Sequence, residues 1–356
     1  MINRVLQKIR FEKNAAKAFE ETVAAFADAR NKSAVVAVCP QNTQQHWMGI
    51  KQAAQMLFPQ NLVVLPQQYS NSLLTPRLLE KLGSKIGEMN FDKVVFNGFP
   101  PYFELLFRSI NKANTTTKLY LLFAGPASEY SSEVQRNNIQ LAANLVRSKI
   151  LYKVGFNKKG LAAAFKQIYG VHAGEYMVKN YVAPDAVAKQ APVLHQLKVG
   201  VFGSNTFNKN LHTQVLAALL LPESKVHVMN KNDFSYLPSS RIIGESGMLS
   251  HSQFLVRLQE MDINLYLSFS ESWGLVATES LAVGTPCLTT ANSGIFDGDS
   301  FLETHLVVRD YDNVVAIKQQ IESVLNNYSA ISKRGIEYVA ELNVMADIKL
   351  KTFLEE

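Results

Sequence analysis

Short, continuously apolar runs alternate with amphipathic stretches along most of the chain. SAVVAVC (33–39), NLVVLP (61–66), DKVVFNG (92–98), KLYLLFAG (118–125) and ILYKVGF (150–156) read as strands. Between them, 44–57, 74–88, 102–112, 130–147 and 158–168 carry apolar residues at helical spacing. Runs that are apolar throughout fit a parallel sheet covered on both faces. The segment 179–196, with Pro184 and Pro192 and no clear period, predicts a linker. The alternation then resumes. LKVGVFG (197–203), KVHVMN (225–230), RIIGES (241–246), INLYLSFS (263–270), PCLTT (286–290) and 305–309 read as strands. Helices are predicted over 209–220, 250–260, 275–283, 312–326 and 330–356. The pattern predicts an α/β protein of two Rossmann-like, doubly wound domains facing across a cleft. The expected divisions are 1–190, 191–330 and a closing helix, 331–356.

Residues 1–30 read as a leading helix. Ile2, Val5, Leu6 and Ile9 recur at helical spacing, with Arg4, Lys8, Arg10 and Lys13 around the rest of the wheel. Such a stripe packs on the protein's own body or lies on an anionic membrane surface.

Composition narrows the classes. With 356 residues, 47% apolar and 19% charged, the chain is neither a disordered tail nor a coiled coil. Its two cysteines, Cys39 and Cys287, exclude a disulfide scaffold and a cysteine-based metal framework, so a reducing cytoplasm is expected. The first residues lack the apolar core of a secretory signal, and no run of 18 apolar residues occurs. Charge is uneven: residues 1–195 carry a net +12 and residues 196–356 a net −6. The basic half, which includes Lys149, Lys153, Lys158 and Lys159, is where an anionic glycan or lipid surface is expected. The apolar, aromatic stretch GFPPYFELLF (98–107) reads as a membrane-facing patch, an acceptor groove or simply core. No helix-turn-helix, RNA-binding strand or zinc pattern points to nucleic acid.

The chemistry concentrates in INLYLSFSESWGLVATESLAVGTPCLTTANSG (263–294). A buried strand ends at Ser270. Glu271 lies on the exit loop, Ser272-Trp273-Gly274 turn into a helix beginning near Leu275, and Glu279 follows one turn on. The first amides of a helix lack intrahelical partners and sit at the positive end of its dipole. Gly274 permits close backbone approach, so the amides about Gly274, Leu275 and Val276 suit a diphosphate. Two flanking carboxylates suit sugar hydroxyls.

This segment resembles the retaining GT-B glycosyltransferases of the large family that includes sucrose and glycogen synthases and many bacterial lipopolysaccharide and capsule transferases. Glu271, Gly274, Leu275, Val276, Glu279, Ala282, Gly284 and Pro286 match the family's Glu-x7-Glu pattern; Ser272, Trp273 and Ser280 replace its usual Gly, Phe and Ala. VGVFGSNTFNKNLHTQVLAAL (199–219) resembles the opening of the family's second domain, with Gly203 and Ser204 in the phosphate loop and Lys209 as the basic residue that meets the phosphates. The resemblance implies a metal-independent transfer, with no cofactor, of a hexose from a UDP- or GDP-sugar to a glycan or lipid-linked acceptor. It further implies surface polysaccharide synthesis, in the cytoplasm or on the inner face of the membrane. Glu271 would contact the donor sugar, Glu279 the ribose, and the closing helix would cross back to the first domain.

The first half matches by architecture alone. Its first loop, PQNTQQHWMG (40–49), holds only Gly49, with His46 as the candidate catalytic or acceptor contact. Ala124-Gly125-Pro126 stands where the family often has a His. These departures motivate an alternative: a non-catalytic GT-B subunit that binds a glycan, a partner transferase or a membrane. Asp297-Gly298-Asp299 and Asp310-Tyr311-Asp312 have the D-x-D form but read as solvated turns. No P-loop, nucleophile elbow or G-x-G-x-x-G is present.

Overall fold

The computed structural model describes residues 2–41, 48–68, 71–193, 195–237, 240–245, 247 and 249–356. The side chains of residues 2–10, 48, 68 and 71 lie outside this description. The chain divides into two compact units. The first comprises Met1–Lys179 and Ala346–Glu356, and the second Asn180–Met345.

The first unit begins with α1 (Ile2–Lys32), β1 (Val35–Pro40), α2 (Met48–Leu57) and β2 (Leu62–Leu65). A short antiparallel pair, β3 (Gln67–Gln68) with β4 (Asn71–Ser72), follows. Then come α3 (Pro76–Glu88), β5 (Lys93–Asn97), α4 (Phe103–Ala113), β6 (Lys118–Phe123), α5 (Glu133–Arg147), β7 (Lys153–Phe156), α6 (Leu161–Tyr169) and β8 (Ala173–Glu175). Six strands form one parallel sheet in the order β2-β1-β5-β6-β7-β8. The central strands are buried almost throughout, as continuous apolar runs require.

From residue 15 onward α1 faces this core. Ala15, Ala18, Phe19, Phe26 and Ala29 are buried at helical spacing, and Phe26 packs edge-on against Phe91. The proposed stripe Ile2, Val5, Leu6 and Ile9 falls outside the described side chains. The aromatic side chains of the stretch at 98–107 are core: Phe99, Phe103 and Phe107 pack with Phe96 edge to face or tilted against the sheet.

The second unit holds β9 (Lys198–Val201), α7 (Leu211–Leu219), β10 (Lys225–Val228), β11 (Ile242–Gly244), α8 (His251–Glu260), β12 (Ile263–Tyr266), α9 (Leu275–Ala282), β13 (Cys287–Thr289), α10 (Ser300–Leu306), α11 (Val314–Asn326) and most of α12 (Tyr328–Glu355). Its five strands are parallel, ordered β11-β10-β9-β12-β13. The chain winds from β9 toward β11 on one side and then from β12 to β13 on the other. The order therefore reverses between β9 and β12, which is where a doubly wound sheet binds ligands. The strand expected at 305–309 is corrected: 300–306 is helical, and the segment after it meets the sheet through the bridge of Val307 to Thr289, with the Val308 amide donating to the Thr289 carbonyl at 2.8 Å. Asp299 caps this helix by accepting from the Leu302 amide at 2.8 Å.

The last residues of α12 complete the first unit. Leu350 and Phe353 are buried, and Phe353 packs on Tyr120 of β6. Lys153 was expected on the basic surface. Instead it is fully buried on β7, donates to the Phe353 carbonyl at 3.1 Å and pairs with Glu356 at 3.2 Å. Both cysteines are buried free thiols, and burial pushes Cys39 up to about 12. Among the described residues no helix is long and apolar enough to cross a membrane.

Candidate functional site

Two loops leave the second sheet where its order reverses. One follows β9 and runs through Gly203 and Ser204 to a single turn at Phe207–Lys209. The other follows β12 and runs from Leu267 to Gly274. Because β9 and β12 are paired neighbours, the loops run side by side. Gln214, buried in α7, ties them together: its amide donates to the Lys209 carbonyl at 2.7 Å, and its oxygen accepts from the Leu267 amide at 3.1 Å. The Phe269 amide adds a bond to the Asn208 carbonyl at 2.8 Å.

This arrangement brings Lys209 to Glu271. The two form an ion pair. Tyr266, the last residue of β12, closes a triangle: its hydroxyl donates to the same Glu271 oxygen at 2.9 Å and accepts from Lys209 Nζ at 2.8 Å. The ammonium also lies 5.0 Å from the centre of the Tyr266 ring. Both charged side chains are mostly shielded from water, so their attraction is screened less than that of a surface pair. Burial pushes the Tyr266 hydroxyl well above its usual range, and the Glu271 charge adds to the effect. Tyr266 therefore stays a proton donor to Glu271 at neutral pH.

Gly274 turns the loop into α9 with φ of 95° and ψ of 62°. A Cβ there would stand 3.3 Å from Tyr266 Cε1. The turn thus requires glycine on two counts, backbone conformation and the adjacent ring. The amides of Leu275 and Val276 then open α9 without intrahelical acceptors, beside Lys209 and Glu271. Ser280 pins α9 to the sheet. It accepts from Asn264 Nδ2 at 2.7 Å and donates to the Thr285 carbonyl at 2.8 Å, bonds that an alanine could not make.

Glu279 sits in the second turn of α9 and is 3% exposed. His251, the first residue of α8, places Nε2 2.8 Å from Glu279 Oε1. A carboxylate only accepts, so Nε2 carries the proton. The edge of the Tyr181 ring braces the imidazole, with centroids 6.0 Å apart.

The remaining expected residues divide. Gly203 and Ser272 are half-buried, and Ser204 is exposed with its hydroxyl 3.4 Å from that of Thr206. Trp273 is buried, and its indole N–H donates to Asn180 at 2.7 Å, so its side chain is committed to anchoring the first residue of the second unit. His46 lies outside the described residues. The D-x-D segments are not simply solvated: Asp299 is buried and pairs with Arg334 at 2.6 Å, while Asp312 accepts from Thr213 at 3.2 Å. Among the described residues, no group of three His, Cys, Asp or Glu side chains is placed to hold a metal ion. Sequence reasoning missed Tyr266, Gln214 and His251. Tyr266 was legible only as a strand residue and Gln214 only as part of a helix. His251 was legible only as part of the predicted helix 250–260.

Comparison with known proteins bears on the fold and on one segment of the second unit. Residues 246–341, which contain His251, Tyr266, Glu271 and Glu279, match the family model for glycosyl transferases group 1. No curated protein matches the chain in sequence. Several solved structures match it in fold. The chain resembles sucrose-phosphate synthase from Thermosynechococcus elongatus at 14% identity, with a TM-score of 0.64 over 90% of this chain and 98% of that one. It resembles α,α-trehalose-phosphate synthase (UDP-forming) from Burkholderia xenovorans, solved with glucose-6-phosphate, at 9% identity and a TM-score of 0.62, over 90% and 99%. It also resembles the pneumococcal O-GlcNAc transferase GtfA, solved with UDP and GlcNAc, at 12% identity and a TM-score of 0.56, over 79% and 59%. The fold is GT-B, two parallel-sheet α/β domains, and its second unit carries a segment of glycosyltransferase group 1 type.

Proposed function

We propose that the chain is a hexosyltransferase-type glycosyltransferase (EC 2.4) that moves a sugar, with retention and without a metal, from a UDP- or GDP-sugar to a glycan or lipid-linked acceptor. The observation that carries this reading is the Lys209–Tyr266–Glu271 triangle set against the start of α9. Lys209 and the amides of Leu275 and Val276 meet the diphosphate and stabilise the charge that builds on it as the bond to the sugar breaks. Glu271, released from part of its pairing with Lys209, accepts from the donor sugar's hydroxyls. Glu279 accepts from the ribose. The anomeric carbon loses its bond to the diphosphate oxygen and gains one to the acceptor oxygen on the same face. The acceptor's proton leaves with the departing phosphate.

The acceptor belongs with the basic first unit, whose exposed cations include Lys149 and Lys159. A role in surface polysaccharide synthesis, at or near an anionic membrane face, fits that charge.

The test is release of nucleotide from a panel of UDP- and GDP-sugars in the presence of candidate acceptors. Glu271→Ala should abolish transfer while nucleotide still binds, and Glu279→Ala should weaken nucleotide binding. Full transfer by both variants would sink the proposal. Absence of UDP and GDP binding at millimolar concentration would favour a non-catalytic subunit instead.

A further inference from the structure

We infer that His251 is a positioning residue for donor recognition: it fixes the Glu279 carboxylate in the orientation that accepts the ribose hydroxyls. The inference rests on the reading of Glu279 as the ribose acceptor. Glu279 is almost wholly buried, and among the described residues His251 is the hydrogen-bond partner of its carboxylate. A buried carboxylate with no partner is expensive and free to rotate; one held on Oε1 is fixed, with Oε2 left to accept. Both elements that bring the pair together are themselves fixed. Ser250 and Gln253 form a reciprocal capping box at the start of α8. Ser280 pins α9 through Asn264 and Thr285. The ring of His251 is braced by Tyr181 and half-exposed, so it borders open space rather than filling a core. Its N–H also offsets the carboxylate's charge before any ligand arrives, which lets the site stay formed without ligand. The ligand class this arrangement selects is the ribonucleotide over its 2′-deoxy counterpart. A diol can satisfy a carboxylate held in place, and a single hydroxyl can do so only in part.

The experiment uses the full chain and calorimetry with UDP, 2′-deoxy-UDP, GDP and 2′-deoxy-GDP. The ribo form of whichever base binds should be preferred by about tenfold, as expected for one hydrogen bond to a charged group. His251→Ala should weaken the ribo form by about tenfold and erase most of that preference. His251→Gln, whose amide reaches the same carboxylate, should restore the preference. His251→Phe keeps the ring without a donor and should behave as His251→Ala does, which separates positioning from packing. A His251→Ala or His251→Phe protein with an unchanged ribo-to-deoxy ratio, while Glu279→Ala loses it, overturns the inference and leaves the proposed function standing. If Glu279→Ala binds all four nucleotides as the parent does, the reading of Glu279 fails and the inference fails with it.

Discussion

Lys209 and Glu271 are 62 residues apart in sequence, yet they share one proton-rich contact, closed by the hydroxyl of Tyr266. Each partner satisfies the others, so removing one exposes the rest. Lys209→Met should deprive Glu271 of its ammonium partner in a shielded site and lower stability by about 1–2 kcal/mol, since a partly buried pair lies between surface and core cases. Its kcat should fall by about a hundredfold if it stabilises the leaving diphosphate. Steady-state kinetics with thermal melts separate the two effects. Loss of stability without loss of rate would make the pair purely structural.

Tyr266→Phe is the milder probe of the same triangle. It removes one hydrogen bond to Glu271 and one from Lys209 but keeps the ring beneath Gly274. We expect about 1 kcal/mol of lost stability and a smaller fall in kcat than for Lys209→Met. Urea titration and initial rates would reveal the ordering, and a larger rate effect for Tyr266→Phe would reverse the roles assigned here.

Gly274→Ala combines an unfavourable backbone angle with a contact at 3.3 Å to Tyr266. The backbone alone costs about 1–2 kcal/mol, and relief of the contact must move the ring or the turn. The melting temperature and nucleotide affinity should therefore fall together. Calorimetry showing parental affinity in a destabilised protein would detach the turn from binding.

Two histidines give the fold a pH dependence. His172 is held below its usual value by burial and then by Lys153; His227 by burial and then by Arg257. Each therefore binds a proton more readily when unfolded. Their contribution is complete above the unfolded value of about 6.5 and is lost as pH falls through the lower folded value. The contribution of these two histidines should be flat between pH 8 and 7 and decline toward pH 5. His227→Gln and His172→Gln should each flatten that decline in urea titrations. An equal slope in the double variant would place the dependence elsewhere.

Much of the fold was legible because its signals are local and repeated. Apolar runs such as KVVFN and KLYLLF are buried almost throughout, and among the described residues of 177–197 there is no helix or strand, as Pro184 and Pro192 suggested. Short elements escaped notice. β8 is only three residues, Ala173–Glu175, and contains a glycine, so no apolar run marks it. The Glu271–Glu279 spacing was visible because both lie on one loop and helix. Lys153 misled because a charged letter gives no sign that its stem and ammonium are enclosed by Phe353 and Gly174. His251 and Tyr266 act through pairings distant in sequence, and no spacing rule reports those.

Deleting residues 346–356 should expose Tyr120 and Lys153 and remove Phe353 from the first unit's core. Limited proteolysis followed by mass spectrometry should then find cleavage concentrated within 1–179, with 180–345 protected. Uniform protection would mean the first unit stands without its final helical turns.

The second unit is continuous in sequence, whereas the first is assembled from two pieces separated by all of the second. During synthesis the second unit therefore has its whole sequence available before the first does, although the first begins to emerge earlier. The early β-strands wait, with the place of Phe353 on Tyr120 still empty, until residue 353 has left the ribosome. A nascent chain of this protein thus holds all six strands of its first sheet early but leaves Tyr120 uncovered until the entire second unit has been made.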